Sequence, residues 1–173
     1  KMNYRVLLFY KYVNFPSPDD FQREHLKFCT DNDIKGRVWI AREGINATVS
    51  GTEANIEKYK SEITKHPEFS DIWFKEDKYF EHSFKKIHVR LKKEIVTADF
   101  GEVDLSKTAK RLKPEELNEF YSEVKDFLII DTRNEYESNI GKFKNAFTPK
   151  MNTFRDWPKI AEDLEKFKDK TII

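Results

Sequence analysis

Gly36-Arg37-Val38-Trp39-Ile40-Ala41-Arg42-Glu43-Gly44-Ile45-Asn46-Ala47-Thr48-Val49-Ser50-Gly51 is the stretch on which the fold turns. Arg37 to Ala41 reads as a strand with Val38 and Ile40 on one face, and Ile45 to Ser50 reads as its partner. Arg42-Glu43-Gly44 makes the turn between them, where Gly44 is free to take a positive φ. A hairpin over residues 36–51 needs further strands, and the flanks supply them. Arg5 to Val13 is β-branched and aromatic, as a strand should be. Phe15-Pro16-Ser17-Pro18 breaks it and opens a helix, with Ser17 as N-cap, Pro18 at the first position and Asp19 and Asp20 in the positive first turn. The helix runs to about Asp31 with Phe21, His25, Phe28 and Cys29 along one stripe, and Asn32-Asp33 and Gly36 are its stop signals. Thr52 caps a second helix, whose inner stripe is Ile56, Tyr59 and Ile63. His66-Pro67 ends that helix, and Asp71 to Lys75 is expected to be a fourth strand. Strand, helix, strand, strand, helix, strand is the split βαβ, or ferredoxin-like, arrangement, which covers one sheet face with helices and leaves the other open.

Phe84 to Lys93 predicts one more strand, with Ile87, Val89 and Leu91 alternating with Lys86, His88, Arg90 and Lys92. These ten residues hold five Lys/Arg and no acid. A period of two gathers the cations on one side of the sheet. That pattern suits a surface for phosphate backbones, because Lys and Arg that neutralise phosphates release counterions. It equally suits an edge strand that uses Lys to block strand addition.

The second half has a different rhythm. Residues 1–98 form the first domain, 99–112 lose periodicity and read as a connector, and 113–173 form a second, α/β part. A helix starts at Pro114. Phe127-Leu128-Ile129-Ile130 is a continuous apolar run, as in a buried parallel strand. It leads through Asp131-Thr132-Arg133 into a short helix over Glu135–Asn139, which Gly141 stops. Ala146 to Pro149 is a possible short strand, residues 159–168 a helix, and Thr171-Ile172-Ile173 the start of another strand. Alternating strands and helices imply a parallel sheet. About 60 residues are too few to complete it, so the natural protein is expected to continue beyond residue 173.

Composition narrows the function classes. The chain has 173 residues, 38% hydrophobic and 36% charged, with 15 Phe and 7 Tyr. So many aromatics argue against disorder. The apolar runs are far shorter than the roughly 20 residues that span a bilayer, so no membrane association is expected. The single cysteine, Cys29, allows no intramolecular disulfide and no Cys-rich metal site, and it fits a reducing cytoplasm. In its apolar stripe it reads as a small buried hydrophobe. Residues 1–98 carry 18 Lys/Arg against 15 Asp/Glu and residues 99–173 carry 14 against 16, so neither half is basic enough to demand nucleic acid by sum alone.

No Gly-rich phosphate loop and no G-x-S-x-G, H-E-x-x-H or G-x-G-x-x-G pattern is present. His25, His66, His82 and His88 lack metal-ligand spacing, so no metal is expected; His88, on the basic strand, is the one of interest. Arg42-Glu43-Gly44-Ile45-Asn46 is richer in polar groups than a turn requires. Arg42 suits a phosphate and Asn46 a base or an oxyanion, while an Arg–Glu pair is the structural alternative. Asp131 and Arg133 follow a parallel strand at its C-terminal end, where open α/β sheets place ligands. Asp131 suits a cap or a loop anchor, and Arg133 a pair with Glu137 one turn on or an anionic ligand. Phe154, Trp157 and Pro158 read as core.

Phe9-Tyr10-Lys11-Tyr12, Gly36-Arg37-Val38, Ala41-Arg42-Glu43-Gly44-Ile45-Asn46-Ala47 and Lys92 to Asp99 together resemble the N-terminal domain of the bacterial tRNA uridine(34) hydroxylases. Leu128 to Glu137, Gly141 to Ala146 and Thr153-Phe154-Arg155 resemble the start of that family's rhodanese domain. The resemblance implies oxygen-dependent 5-hydroxylation of the wobble uridine, with dioxygen and an unknown reductant consumed and no cofactor evident. It implies the tRNA anticodon arm as partner and no DNA. Arg42, Glu43, Asn46, Lys86, His88, Arg90 and Lys92 are the expected RNA-binding residues, with Asp131 and Arg133 supporting a catalytic cysteine expected after residue 173. Without that cysteine, the chain as it stands is expected to be inactive. Lys142 stands where rhodanese domains usually carry His. The hairpin also resembles acylphosphatase, but Asn14-Phe15-Pro16-Ser17 is no phosphate-cradling Gly-rich loop, so the likeness reaches the fold and not the activity. A rhodanese-type sulfurtransferase and a non-enzymatic RNA- or protein-binding module are the alternatives.

Overall fold

The computed structural model describes residues 3–96, 104, 107, 109–123 and 126–173. Most of the expected connector, residues 99–103, 105, 106 and 108, lies outside them, as do Thr97 to Asp99. The chain divides into two units, Lys1–Val96 and Thr97–Ile173.

The first unit contains β1 (Tyr4–Tyr12), α1 (Pro18–Asp31), β2 (Lys35–Ala41), β3 (Gly44–Thr52), α2 (Glu53–Ile63), β4 (Lys75–Tyr79) and β5 (Ile87–Leu91). The sheet order is β4-β1-β3-β2-β5. The first four strands pair antiparallel, and β5 joins β2 in parallel. This is the ferredoxin-like order with one strand added at the rim. One sheet face supplies Leu7, Phe9, Val38, Ile40, Ile45, Ala47 and Val49 to a core shared with Phe21, Cys29, Ile56, Tyr59 and Ile63 of the helices. Each such Val, Leu, Ile or Phe side chain, fully buried, contributes roughly 1.5–3 kcal/mol. The helix stripes are those the 3.6-residue period picks out. Thr52 caps α2 by accepting the Asn55 N–H at 3.3 Å, whereas Ser17 starts α1 without a side-chain cap bond.

Burial costs the few polar groups inside little, because they are paired. The Tyr59 hydroxyl and His25 Nε2 lie 2.9 Å apart, and burial drives the His25 pKa down to about 3. Burial likewise pushes the Cys29 thiol up to about 12, so it is an inert core residue. Arg5 is buried on the core face and pairs with Glu53 at 2.5 Å and Glu76 at 3.2 Å. His66 edges onto the Phe21 ring at 4.8 Å. His82 reaches Asp33 with Nε2 at 3.1 Å and the buried Ser50 hydroxyl with Nδ1 at 3.3 Å. Ser50 also accepts the Ser83 N–H at 3.2 Å, which fixes the approach to β5.

The fourth strand is not where the apolar pattern put it. After α2 the chain makes a 3₁₀ turn over Pro67–Phe69, and β4 begins only at Lys75. Phe69 and Ile72 go into the core as irregular structure, with Phe74 packed against it. All five residues of β4 are exposed. An edge strand needs only backbone pairing, so it carries no apolar alternation for a sequence reading to find. At the opposite rim, Gln22 Nε2 of α1 donates to the Val89 carbonyl at 2.9 Å. Ile87 and Val89 of β5 face the core as the alternation predicts, but Leu91 is 42% exposed.

The second unit contains α3 (Pro114–Ser122), β6 (Phe127–Leu128), α4 (Glu135–Ile140), α5 (Trp157–Leu164) and β7 (Thr171–Ile172). β6 and β7 pair in parallel, and Ile130 makes one parallel bridge to Phe147. The strand expected over Ala146–Pro149 is that single bridge. The helix expected over 159–168 is α5 followed by a 3₁₀ turn, Glu165–Phe167. Phe154 and Trp157 do not form core. They stack at 6.2 Å with Phe154 37% exposed, while Met151 and Ile160 on either side are buried.

Candidate nucleic-acid interface

Register builds the site across strands. Hydrogen-bonded neighbours line up as Leu8–Thr48–Arg37–His88 in one row and Tyr10–Asn46–Trp39–Arg90 in the next. These positions are out of phase with buried Val38, Ala47 and Val89, so they lie on the sheet face away from the helices. Lys86 and Lys92 flank the rows: the Gly36 N–H donates to the Lys86 carbonyl at 3.1 Å, and the Lys92 N–H to the Ile40 carbonyl at 2.8 Å. Arg37, Lys86, Arg90 and Lys92 are exposed, and Trp39 and His88 are half-buried. Arg37, Trp39, His88, Arg90 and Lys92 line a cavity of about 280 Å³. The Lys92 ammonium is 5.3 Å from the Trp39 ring centroid.

The electrostatics are one-sided. Among the described residues none of Arg37, Lys86, Arg90 and Lys92 has a carboxylate partner. Desolvation, and then the charges of Lys86, Arg90 and Arg37, hold the His88 imidazole below its usual pKa. A histidine pushed down by neighbouring cations reports a positive potential that an anion would relieve.

The turn residues divide. Arg42 is exposed, and its carbonyl accepts the Phe15 N–H at 2.8 Å while that of Glu43 accepts the Val13 N–H at 2.9 Å. The Glu43 carboxylate accepts the Ile95 N–H at 2.6 Å, and the Asn46 amide donates to the Ile95 carbonyl at 3.1 Å. Glu43 and Asn46 thus grip the backbone that follows β5, rather than forming the Arg42–Glu43 pair that a structural turn suggested. Gly44 has φ +134°, and a Cβ there would lie 1.9 Å from the Lys11 carbonyl oxygen. Only glycine lets the turn sit so close to β1.

Asp131 and Arg133 sit together in the second unit. Arg133 donates from Nε and Nη2 to the two Asp131 oxygens at 2.9 and 2.7 Å, and from Nη2 to the Gly141 carbonyl at 2.6 Å. Asp131 Oδ1 also accepts the Arg133 N–H at 3.1 Å. Hydrogen bonds to Arg133 hold the Asp131 carboxyl down at about 2. The pairing of Arg133 with Glu137 is not formed; Glu137 instead accepts the Asn134 N–H at 3.3 Å at the start of α4. Arg133 is therefore neutralised in place, beside a cavity of about 270 Å³ that also touches Leu117, Ile129 and Phe143. Lys142 reaches Thr148 Oγ1 at 3.0 Å. No group of three His, Cys, Asp or Glu able to hold a metal exists among the described residues. Nor is any described helix long and apolar enough to cross a membrane.

Arg37 and Trp39 are the functional candidates that sequence reasoning passed over. The signal was there: both alternate with Val38 and Ile40, and one more strand beside β2 puts them next to His88 and Arg90.

The UPF0176 acylphosphatase like domain family matches residues 4–95. The chain is 44% identical over 175 residues to the tRNA uridine(34) hydroxylase of Staphylococcus carnosus, covering 99% of this chain and 55% of that protein. It is 43% identical over 176 residues to the protein of that name from Bacillus licheniformis, covering 100% and 54%. It is 42% identical over 176 residues to that from Acholeplasma laidlawii, covering 99% and 54%. The chain spans about half the length of these relatives.

Proposed function

The chain belongs to the UPF0176 acylphosphatase-like domain family, and from that premise we propose that the whole protein is a cytoplasmic tRNA-modifying oxidoreductase that hydroxylates C5 of the wobble uridine. The first unit binds the tRNA anticodon arm with its open sheet face. Arg37, Lys86, Arg90 and Lys92 neutralise phosphates, and Arg42 extends the surface along the hairpin. Glu43 and Asn46 hold the hairpin in place through Ile95 and act by position. In the second unit, Asp131 fixes Arg133 and the backbone beside the cavity, a support for the chemistry rather than a catalytic group. Dioxygen is the oxidant: one atom enters the C5–H bond as a hydroxyl and the other leaves as water, which takes two electrons from a separate reductant and two protons.

The observation that carries this reading is the cluster of cations around Trp39 that have no carboxylate partner among the described residues. A monomer gains nothing by crowding like charges, and a polyanion reverses that penalty. Its support from relatives is their shared name at 42–44% identity along nearly all of this chain. Mass spectrometry of tRNA from a strain lacking the gene tests it. The expected result is loss of 5-hydroxyuridine derivatives at position 34, restored by the full gene. Loss of thiolated bases instead makes the protein a sulfurtransferase, and an unchanged tRNA pool makes it a binding module.

A further inference from the structure

We propose that Trp39 is a stacking platform for an unpaired base of single-stranded RNA, held while Arg37 and Arg90 take the flanking phosphates; this rests on the reading of the open face as an RNA surface. The cavity at Trp39 joins two kinds of chemistry. Its lining brings the cations Arg37, Arg90 and Lys92 together with the Trp39 indole. Phosphate alone would use the cations and leave the ring idle. A neutral aromatic would use the ring and leave the cations repelling one another. A ligand with both negative charge and a flat π-face is a nucleotide.

The ring is half-buried, and the described group over its face is a movable cation. Lys92 places its ammonium 5.3 Å from the ring centroid. Lys92 is exposed, and a long flexible stem lets that cation leave the ring for a phosphate as a base stacks. The volume of about 280 Å³ is below that of a typical drug-sized site and suits one planar ring system. The cations also extend past the cavity. Lys86 to Lys92 spans about 20 Å of strand at roughly 3.3 Å per residue, long enough for several phosphates and so for a strand rather than a mononucleotide. A duplex fits poorly, because its bases are stacked inside and present no face to the indole.

The test uses the chain as described, with fluorescence anisotropy at low salt. The ligands are octauridylate, a ribose–phosphate strand of the same length without bases, uridine monophosphate and an eight-base-pair RNA duplex. Octauridylate is expected to bind roughly tenfold more tightly than the abasic strand, and more tightly than the mononucleotide or the duplex. Trp39→Leu should abolish the gap between octauridylate and the abasic strand without changing the salt dependence, and Trp39→Phe should keep most of it. Equal binding of the two strands by the parent overturns the proposal, as does a duplex that binds as well as octauridylate, or a gap that survives in folded Trp39→Leu. If Trp39→Leu fails to fold by circular dichroism, Trp73→Phe with Trp157→Phe leaves Trp39 as the only indole. Its emission should then be quenched by octauridylate and not by the abasic strand, and unchanged emission at saturation overturns the proposal. Equal binding of both strands, weakened alike by Lys86→Ala, Arg90→Ala and Lys92→Ala together, removes the stacking claim and leaves the charged face standing. Binding of neither strand removes both.

Discussion

Arg133 and the pair Arg37 and Arg90 meet opposite fates. Arg133 lies against Asp131 with two hydrogen bonds and a third to the Gly141 carbonyl. Arg37 and Arg90 share a sheet face with Lys86 and Lys92 and have no described carboxylate beside them. The same side chain thus does two jobs. In the second unit its planar fork organises a loop. In the first its charge is left over and must find its counterion outside the fold. The titrating groups record the difference: Asp131 is pulled down to about 2 by its partner, while His88 is held low by desolvation and by neighbours of its own future sign.

The contrast breaks most completely where the open face loses its frame. Gly44→Ala places a methyl group against the Lys11 carbonyl at a φ of +134°. A loss of about 3 kcal/mol or more is expected in urea unfolding of the first unit, with RNA binding lost alongside. Replacing Lys86, Arg90 and Lys92 by Ala should keep the fold, because all three are exposed. Affinity for tRNA should nevertheless fall on the order of 100-fold near 0.1 M salt. The slope of log K against log salt should shrink in magnitude by about 2–3. Unaltered binding would make β5 a defended edge and nothing more.

Asp131→Asn acts only on the paired side of the comparison. It should cost about 1 kcal/mol in the unfolding of the second unit, the low end for a charged hydrogen bond because Arg133 is half in solvent, and leave RNA affinity unchanged. The sign of its pH dependence is fixed. The folded value near 2 lies below the ordinary aspartate value, so the contribution is fully present above roughly pH 5 and is lost as pH falls through the folded value. Parent and Asp131→Asn stabilities should converge toward pH 2. The smallest effect belongs to His88. Its NMR titration midpoint should move up when RNA binds, because phosphate screens Lys86, Arg90 and Arg37. RNA should accordingly bind slightly more tightly as pH drops from 8 to 6. A midpoint that does not move places the phosphates elsewhere.

Most of the first unit could be read from residues alone because its signals are local. Thr52, Gly44 and the stripe of Ile56, Tyr59 and Ile63 each state their structure within one turn of chain. β4 escaped because its residues, Lys75-Glu76-Asp77-Lys78-Tyr79, face solvent, and apolar Ile72 and Phe74 just before it imitated a strand. Trp39 and Arg37 escaped for another reason. Their importance arises only when β5 comes alongside β2, a contact between residues some fifty positions apart in sequence. Helical spacing offers Arg133 either Glu137 or an anionic ligand, yet the turn before α4 folds the guanidinium back onto Asp131 two residues away. Aromatic character alone suggests core for Phe154 and Trp157, but it does not distinguish a buried ring from a stacked, partly exposed pair.

The two rims of the five-stranded sheet are closed by unlike means. Gln22 occupies the Val89 carbonyl on one side, and on the other β4 presents charges of both signs to solvent. Lateral growth into ribbons is therefore discouraged at both ends. A visitor to this sheet has to rest on its open face, as a hand rests on the keys, rather than sit down at a rim as one key more.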